Sequence, residues 1–66
     1  MDENLMIEFT TMIKACGRTL SDFEISTDED NAVVVNNTKN GKTRSYDPNK
    51  ANCVMELAMD LKTGNI

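Results

Sequence analysis

Two turn signals divide the middle of this chain into segments that can pair as a β-sheet. Residues 26–46 read STDEDNAVVVNNTKNGKTRSY, with an acidic turn, three consecutive valines and a basic segment around Asn40-Gly41. Asparagine followed by glycine is a strong hairpin signal, typical of a two-residue type I′ turn. Before the valines, residues 29–31 predict a three-residue loop in which Asn31 adopts the left-handed conformation. The sequence therefore predicts a three-stranded antiparallel meander.

The two turns also predict which residues lie opposite each other. The first loop places Ile25 opposite Val35. A two-residue second turn pairs Lys39 with Lys42 and Val35 with Tyr46. Both turns put one apolar set on the same face of the sheet, namely Phe23, Ile25, Val33, Val35 and Tyr46.

Helical periodicity flanks the meander on both sides. The first apolar stripe is expected to end at Gly17, and it comprises Leu5, Met6, Phe9, Met12, Ile13 and Cys16. In the second helix, Asp47 is predicted to be the N-cap and Gly64 to end the helix. Its buried stripe comprises Ala51, Val54, Leu57, Ala58 and Leu61. The predicted fold is a single α+β domain over residues 1–66, in the order helix, three-stranded meander, helix, with both helices on one face of the sheet.

The composition argues against catalysis. The chain of 66 residues has no histidine, and Cys16 and Cys53 match no zinc or redox spacing. These cysteines are expected to be reduced thiols on separate helices, with a disulfide between the helices as the alternative. Asp28 and Asp30 have the spacing that begins a calcium loop, but Ala32 occupies the next ligand position. We therefore expect no catalytic residue, no cofactor and no metal site.

Charges separate along the meander. The net charge of −4 disfavours general attraction to nucleic acid or to an anionic membrane. The acids are expected to cluster near the first turn, and they are Asp22, Glu24, Asp28, Glu29 and Asp30. The bases are expected to flank the second turn, and they are Lys39, Lys42 and Arg44, with Lys50 nearby. Because successive turns of a meander lie at opposite ends of the sheet, the domain should be acidic at one end and basic at the other.

The chain begins MDENLMIEF, with acids where a secretory signal would place bases, and no apolar run approaches a membrane span. We therefore expect a cytoplasmic protein that does not enter a membrane.

The order of elements and the length are similar to those of the double-stranded RNA-binding domain. That resemblance implies phosphate contacts from lysines that open the last helix. Here the last helix opens DPNKANCVMEL, in which Lys50 alone could serve, and the loop DEDN would repel phosphate. The residues available for nucleic acid under this reading are Lys39, Lys42, Arg44 and Lys50. The alternative for the hairpin bases is a charged rim that discourages edge pairing between molecules.

A second resemblance joins architecture with charge. The segments NLMIEFTTMI, VVVNNTKNGK and VMELAMDL, together with the excess of acids, resemble small acidic phage proteins that disable bacterial defence, including anti-CRISPR proteins. The resemblance implies an inhibitor, acting in the host cytoplasm, whose carboxylates fill a protein groove lined with lysine and arginine and exclude nucleic acid from it. The acids expected to bind such a basic protein partner are Asp22, Glu24, Asp28, Glu29 and Asp30.

A further surface lies beside the buried stripe of the second helix. Met55 and Met59, with Lys62, could bind a protein partner or a second copy of the chain, since methionine adapts to varied surfaces. Packing at the edge of the core is the alternative, so both a monomer and a homodimer remain open.

Overall fold

The computed structural model describes residues 2–66 and has the predicted α+β order of elements. These elements are helix α1 (Glu3–Ala15), a short 3₁₀ turn (Leu20–Asp22), strands β1 (Phe23–Thr27), β2 (Val33–Asn37) and β3 (Thr43–Tyr46), and helix α2 (Cys53–Thr63). The antiparallel sheet has the order β1-β2-β3, with β2 in the centre. Within residues 2–66, no helix is both long and apolar enough to cross a membrane.

Local signals define both ends of α1. The side chain of Asp2 accepts a hydrogen bond from the backbone N–H of Asn4 at 2.9 Å, which satisfies one of the free donors of the first turn. At the other end Gly17 has a φ of 76°, and the N–H of Arg18 donates to the carbonyl of Ile13 at 3.1 Å. This left-handed ending is the one predicted from Gly17.

The core lies between one face of the sheet and both helices. Phe9 and Ile13 of α1 are fully buried, and they form one cluster with Val33 and Val35 of β2. The other buried members of this cluster are Phe23, Tyr46, Cys53, Leu57, Leu61 and Ile66. The ring of Phe9 meets that of Tyr46 edge to face, with centroids 5.8 Å apart. The predicted apolar face of the sheet is therefore the face that the helices cover.

The first hairpin has the predicted register. Ile25 lies opposite Val35, and Asn31 has a φ of 65°. The N–H of Asp28 donates to the carbonyl of Ala32 at 3.1 Å, which closes the loop. Asparagine tolerates the left-handed region because its short polar side chain adds little steric conflict there.

The second hairpin differs from the prediction by two residues. Tyr46 lies opposite Val33 rather than Val35, and Lys39 does not pair with Lys42. A type I′ turn needs a positive φ at Asn40, but among the described non-glycine residues Asn31 alone has one.

The longer second loop has a physical cause outside the Asn-Gly pair. Asn37, which is only 2% exposed, accepts from the N–H of Lys39 through its side chain at 3.0 Å. The N–H of Thr38 donates to the carbonyl of Asp22 at 2.8 Å, which draws the chain away from β3. Asn37 and Lys42 then close a four-residue loop. A shift of two residues leaves every side chain on its face, so the apolar set stays together.

Helix α2 begins later than predicted. Asp47 does not cap it, because the side chain of Asp47 accepts from the N–H of Asn49 at 2.9 Å in a separate turn. Further turns follow, and the helix starts at Cys53. As a result Ala51 is exposed and Cys53 takes its place in the core. The predicted end is confirmed, since Gly64 has a φ of 78° and adopts the left-handed cap.

The left-handed Asn31 gives a stability prediction. Asn31→Ala should lower the free energy of unfolding by about 1 kcal/mol, because a Cβ without a compensating polar group strains this conformation. Asn31→Gly should cost much less. Asn49→Ala, at a turn asparagine without positive φ, is the matched control, and urea unfolding monitored by circular dichroism measures all three. Equal effects at Asn31 for alanine and glycine would contradict this account of the loop.

Candidate functional site

The acidic first turn is held by hydrogen bonds to one of its own carboxylates. Oδ1 of Asp28 accepts the N–H groups of Asp30 and Ala32, each at 2.9 Å. The N–H of Asn31 donates to the carbonyl of Asp28 at 3.1 Å. Glu29 and Asp30 are exposed at the tip of this loop. Asp28 therefore supports the turn, and the turn presents the two carboxylates that follow it.

Other segments bring further carboxylates to the same end of the sheet. A depression of about 530 Å³ beside Thr27 and Asn31 is bordered by Asp2 and Glu8 of the α1 region. A second depression joins Asp30 to Asp47. We call this surface the acidic end, and it comprises Asp2, Glu8, Asp28, Glu29, Asp30 and Asp47. The described residues that line its depressions include no lysine or arginine.

Two of the predicted partner-binding acids lie elsewhere. Asp22 is at the opposite end of β1, where its carbonyl accepts the N–H of Thr38 at 2.8 Å and the hydroxyl of Thr38 at 3.0 Å. Glu24 lies opposite Asn36, on the sheet face that the helices leave open. The expectation that all five acids cluster near the first turn is therefore wrong for Asp22, and Glu24 belongs to a different face.

The predicted basic hairpin reaches back onto the end of α2. Nζ of Lys42 donates to the carbonyl of Gly64 at 2.8 Å, and Nε of Arg44 donates to the carbonyl of Asn65 at 3.4 Å. From the loop after α1, Nη1 of Arg18 donates to the carbonyl of Leu61 at 3.1 Å. Leu61 lies in the last turn of α2, Gly64 is its C-cap and Asn65 follows it, so all three carbonyls lie at the end of the helix that carries partial negative charge. The three cations therefore serve as side-chain caps of α2.

The alternation of β3 explains why these bases face the helix. Side chains two residues apart in a strand point to the same face, and Arg44 precedes the buried Tyr46 by two. Arg44 also lies opposite the buried Val35. The period of two backward from Tyr46 is present in the sequence, and it could have shown that Arg44 and Lys42 lie on the side of the sheet where the helices pack, although both side chains are exposed. Arg18, whose guanidinium stacks on Phe23 at 5.3 Å, has no comparable sequence signal.

The four bases predicted as a nucleic-acid surface do not share one face. Lys39 borders a depression with Arg18 and Asp22 at the second-turn end. Lys50 follows Pro48 and Asn49, which line the depression shared with Asp30 at the acidic end. The expectation that Lys50 lies near the second turn is therefore wrong. Lys42 and Arg44 are bonded to α2, so the structure divides this set among three places.

A hydrogen bond between β3 and α2 includes the single tyrosine of the chain. The hydroxyl of Tyr46 donates to Oδ2 of Asp60 at 2.6 Å, while the other carboxylate oxygen accepts from the side chain of Asn65 at 3.3 Å. Burial is the largest cause that raises the pKa of Tyr46, followed by the hydrogen bond to Asp60 and its negative charge. The phenol therefore stays protonated when the pH rises above the ordinary tyrosine pKa of about 10.

The remaining predicted groups are separate from these networks. Cys16 is half-buried and Cys53 is buried, and both are free thiols. Within residues 2–66, no group of three or more histidine, cysteine or acidic side chains is placed to hold a metal ion. Met55 and Met59 are 68% and 58% exposed on α2, and Lys62 is exposed on the same helix face.

The chain matches no family model, no curated protein and no solved structure at a significant level.

The contact between Lys42 and α2 predicts a measurable stability difference. Lys42→Gln should lower the free energy of unfolding by about 0.5 kcal/mol at low salt, because it removes a cation from a helix carboxyl end. Lys39→Gln is the matched control, since it removes the same charge from the same loop on the side facing Asp22. Urea unfolding at low and high salt measures the difference. Equal losses in both variants would show that net charge, rather than capping, is responsible.

The Tyr46 environment predicts the alkaline limit of stability. Because the folded state holds the phenolic proton more tightly than the unfolded state, the contribution of Tyr46 to stability is constant below a pH of about 10 and falls as the pH rises further. Near-ultraviolet absorbance of tyrosinate reports Tyr46 without interference, since the chain has one tyrosine and no tryptophan.

Asp60→Asn should move this titration toward lower pH, because it removes the negative charge and leaves the burial in place. The protein unfolded in urea should titrate at the ordinary value. A folded protein that titrates there as well would contradict the buried hydrogen bond.

Proposed function

We propose that this protein is a non-enzymatic inhibitor that binds, through its acidic end, a basic groove of a nucleic-acid-handling protein, such as a bacterial defence complex. Under this proposal the carboxylates occupy positions that nucleic-acid phosphates otherwise take. The proposal places the protein in the cytoplasm where such a target acts.

The observation that carries the proposal is the convergence of six carboxylates from three separate segments on one end of the sheet. The region before and within α1 supplies Asp2 and Glu8, the first turn supplies Asp28, Glu29 and Asp30, and the turn after β3 supplies Asp47. Like charges brought together reduce stability, since each repels the others. A patch of this kind is well suited to a surface of opposite sign.

The direction of the molecular field supports the same partner. Arg18, Lys42 and Arg44 lie at the far end of the molecule, on the carbonyls that end α2. Each helix terminus contributes only about half an elementary charge, whereas every carboxylate contributes a whole one. The six carboxylates, of which Lys50 nearby offsets one charge, therefore set the sign of the field at the acidic end. Such a field speeds the encounter with a basic partner and orients it.

The hydrogen bonds within the first turn support the proposed role of Glu29 and Asp30. The two hydrogen bonds to Oδ1 of Asp28 fix the backbone of the loop before any partner arrives. A preorganised loop loses less conformational entropy on binding than a flexible one.

The test removes charge without altering the turn. Glu29→Gln with Asp30→Asn should abolish capture of nucleic-acid-binding proteins from a bacterial lysate on immobilised protein, because it neutralises the tip of the acidic end. Asp28 is left unchanged, since its carboxylate holds the loop. Capture by the unaltered protein should also weaken steeply as salt is raised.

The matched control is Asp22→Asn with Glu24→Gln, which removes the same charge from acids that lie outside the acidic end. This control should retain capture. Nuclease treatment of the lysate separates direct protein contacts from those bridged by nucleic acid. Equal capture by all three proteins, or loss on nuclease treatment, would refute the proposal.

A further inference from the structure

We propose that the outer face of α2 binds a second copy of this chain, forming a two-fold symmetric pair of antiparallel helices. The outer face is defined by Met55, Glu56, Met59 and Lys62. It lies opposite the side of α2 that packs on the core through Leu57, Ala58 and Leu61. The inference is independent of the acidic end, because none of the four residues belongs to it.

The face carries an apolar centre that the monomer leaves in water. Met55 is 68% exposed and Met59 is 58% exposed, and their spacing of four places them on adjacent turns. Ile7, the other large apolar side chain exposed in residues 2–66, is on α1. Two neighbouring methionines offer an adaptable surface that can interlock with an identical one.

The charges on this face identify the occupant as a second copy. Glu56 precedes Met59 by three residues, and Lys62 follows it by three. When two copies of α2 run antiparallel about an axis at Met59, Glu56 of each copy lies beside Lys62 of the other. A parallel arrangement would set Glu56 against Glu56. The pattern is therefore self-complementary in the one orientation that a two-fold interface between antiparallel helices requires.

Within one molecule these two charges cannot form a pair. They are six residues apart, which separates them by about 9 Å along the helix and by a third of a turn around it. Interacting pairs on a helix are three or four residues apart. The opposite charges consequently meet only across the proposed interface.

The surface beside the helix provides room for the partner's side chains. A depression of about 410 Å³ between β3 and α2 is lined by Tyr46, Met55, Glu56 and Met59, among others. A methionine from the second copy can enter it. The depression is also lined by Arg44 and by Asp60, whose carboxylate accepts the Tyr46 hydroxyl.

The size of the face sets the strength of the dimer. A standard stable interface covers about 800 Å² on each partner, which is about a fifth of the 4276 Å² surface of this chain. One helix face with the edge of β3 covers less. The dissociation constant of the dimer should therefore be micromolar or higher rather than nanomolar.

Sedimentation equilibrium over a wide range of protein concentration tests the proposal. Glu56→Lys alone and Lys62→Glu alone should each weaken self-association by roughly tenfold or more, since each places like charges together at two symmetric contacts. The double variant, E56K with K62E, should restore it. Met59→Ser should abolish it. Glu24→Lys, which changes the same charge on the open sheet face, should leave it unchanged.

Circular dichroism of each variant measures whether the monomer is folded. If Glu56→Lys perturbs the helix, self-association of the Lys62→Glu and Met59→Ser variants still tests the proposal. A strict monomer at millimolar concentration would overturn the proposal. So would a double variant no stronger than the single ones, or a Met59→Ser variant that associates like the unaltered protein. Association that appears only with a different protein would overturn it too.

Discussion

A chain of 66 residues can bury one face of one small sheet, and Val33 and Val35 decide which face it is. Both are fully buried on the central strand, in contact with a core to which both helices contribute. Because side chains alternate along a strand, this choice fixes the orientation of every other position in β1 and β3. The placement of charge follows from the same alternation.

The alternation places the acids of the first turn and the bases of β3 in different surroundings. The acids of the first turn lie beyond the ends of the strands, so nothing in the fold occupies Glu29 and Asp30. Arg44 lies within β3 opposite Val35, and its exposed guanidinium reaches the carbonyl of Asn65. Lys42 is close to the same helix end. Lys42 and Arg44 therefore contact the end of α2, whereas the side chains of Glu29 and Asp30 are exposed to solvent.

Sequence signals predicted the backbone correctly at positions where the residue's own side chain determines its conformation. The loop at Asn31 and the helix ends at Gly17 and Gly64 could be predicted because left-handed positions favour asparagine and glycine. Those residues need no distant contact to adopt that conformation, so the sequence pattern alone identified them. The first hairpin register follows from the same loop.

Predictions failed where a distant residue competes with the local signal. Asn40-Gly41 suggests a tight turn, but the bond from Thr38 to Asp22 and the side chain of Asn37 favour a longer loop. The acidic end could be predicted only in part, since Asp2, Glu8 and Asp47 reach it through tertiary packing. Such contacts join residues far apart in sequence, and spacing along the chain does not encode them.

The hydrogen bond from Arg18 to the carbonyl of Leu61 is expected to form late in folding. It joins residues 43 positions apart, whereas the meander pairs neighbouring strands. Closing the longer loop costs more chain entropy, so we expect the hairpins to form early and the helix ends to meet after the transition state. Loss of such a late contact accelerates unfolding more than it slows folding. Removal of the Arg18 guanidinium should therefore shorten the lifetime of the folded molecule more than it slows folding.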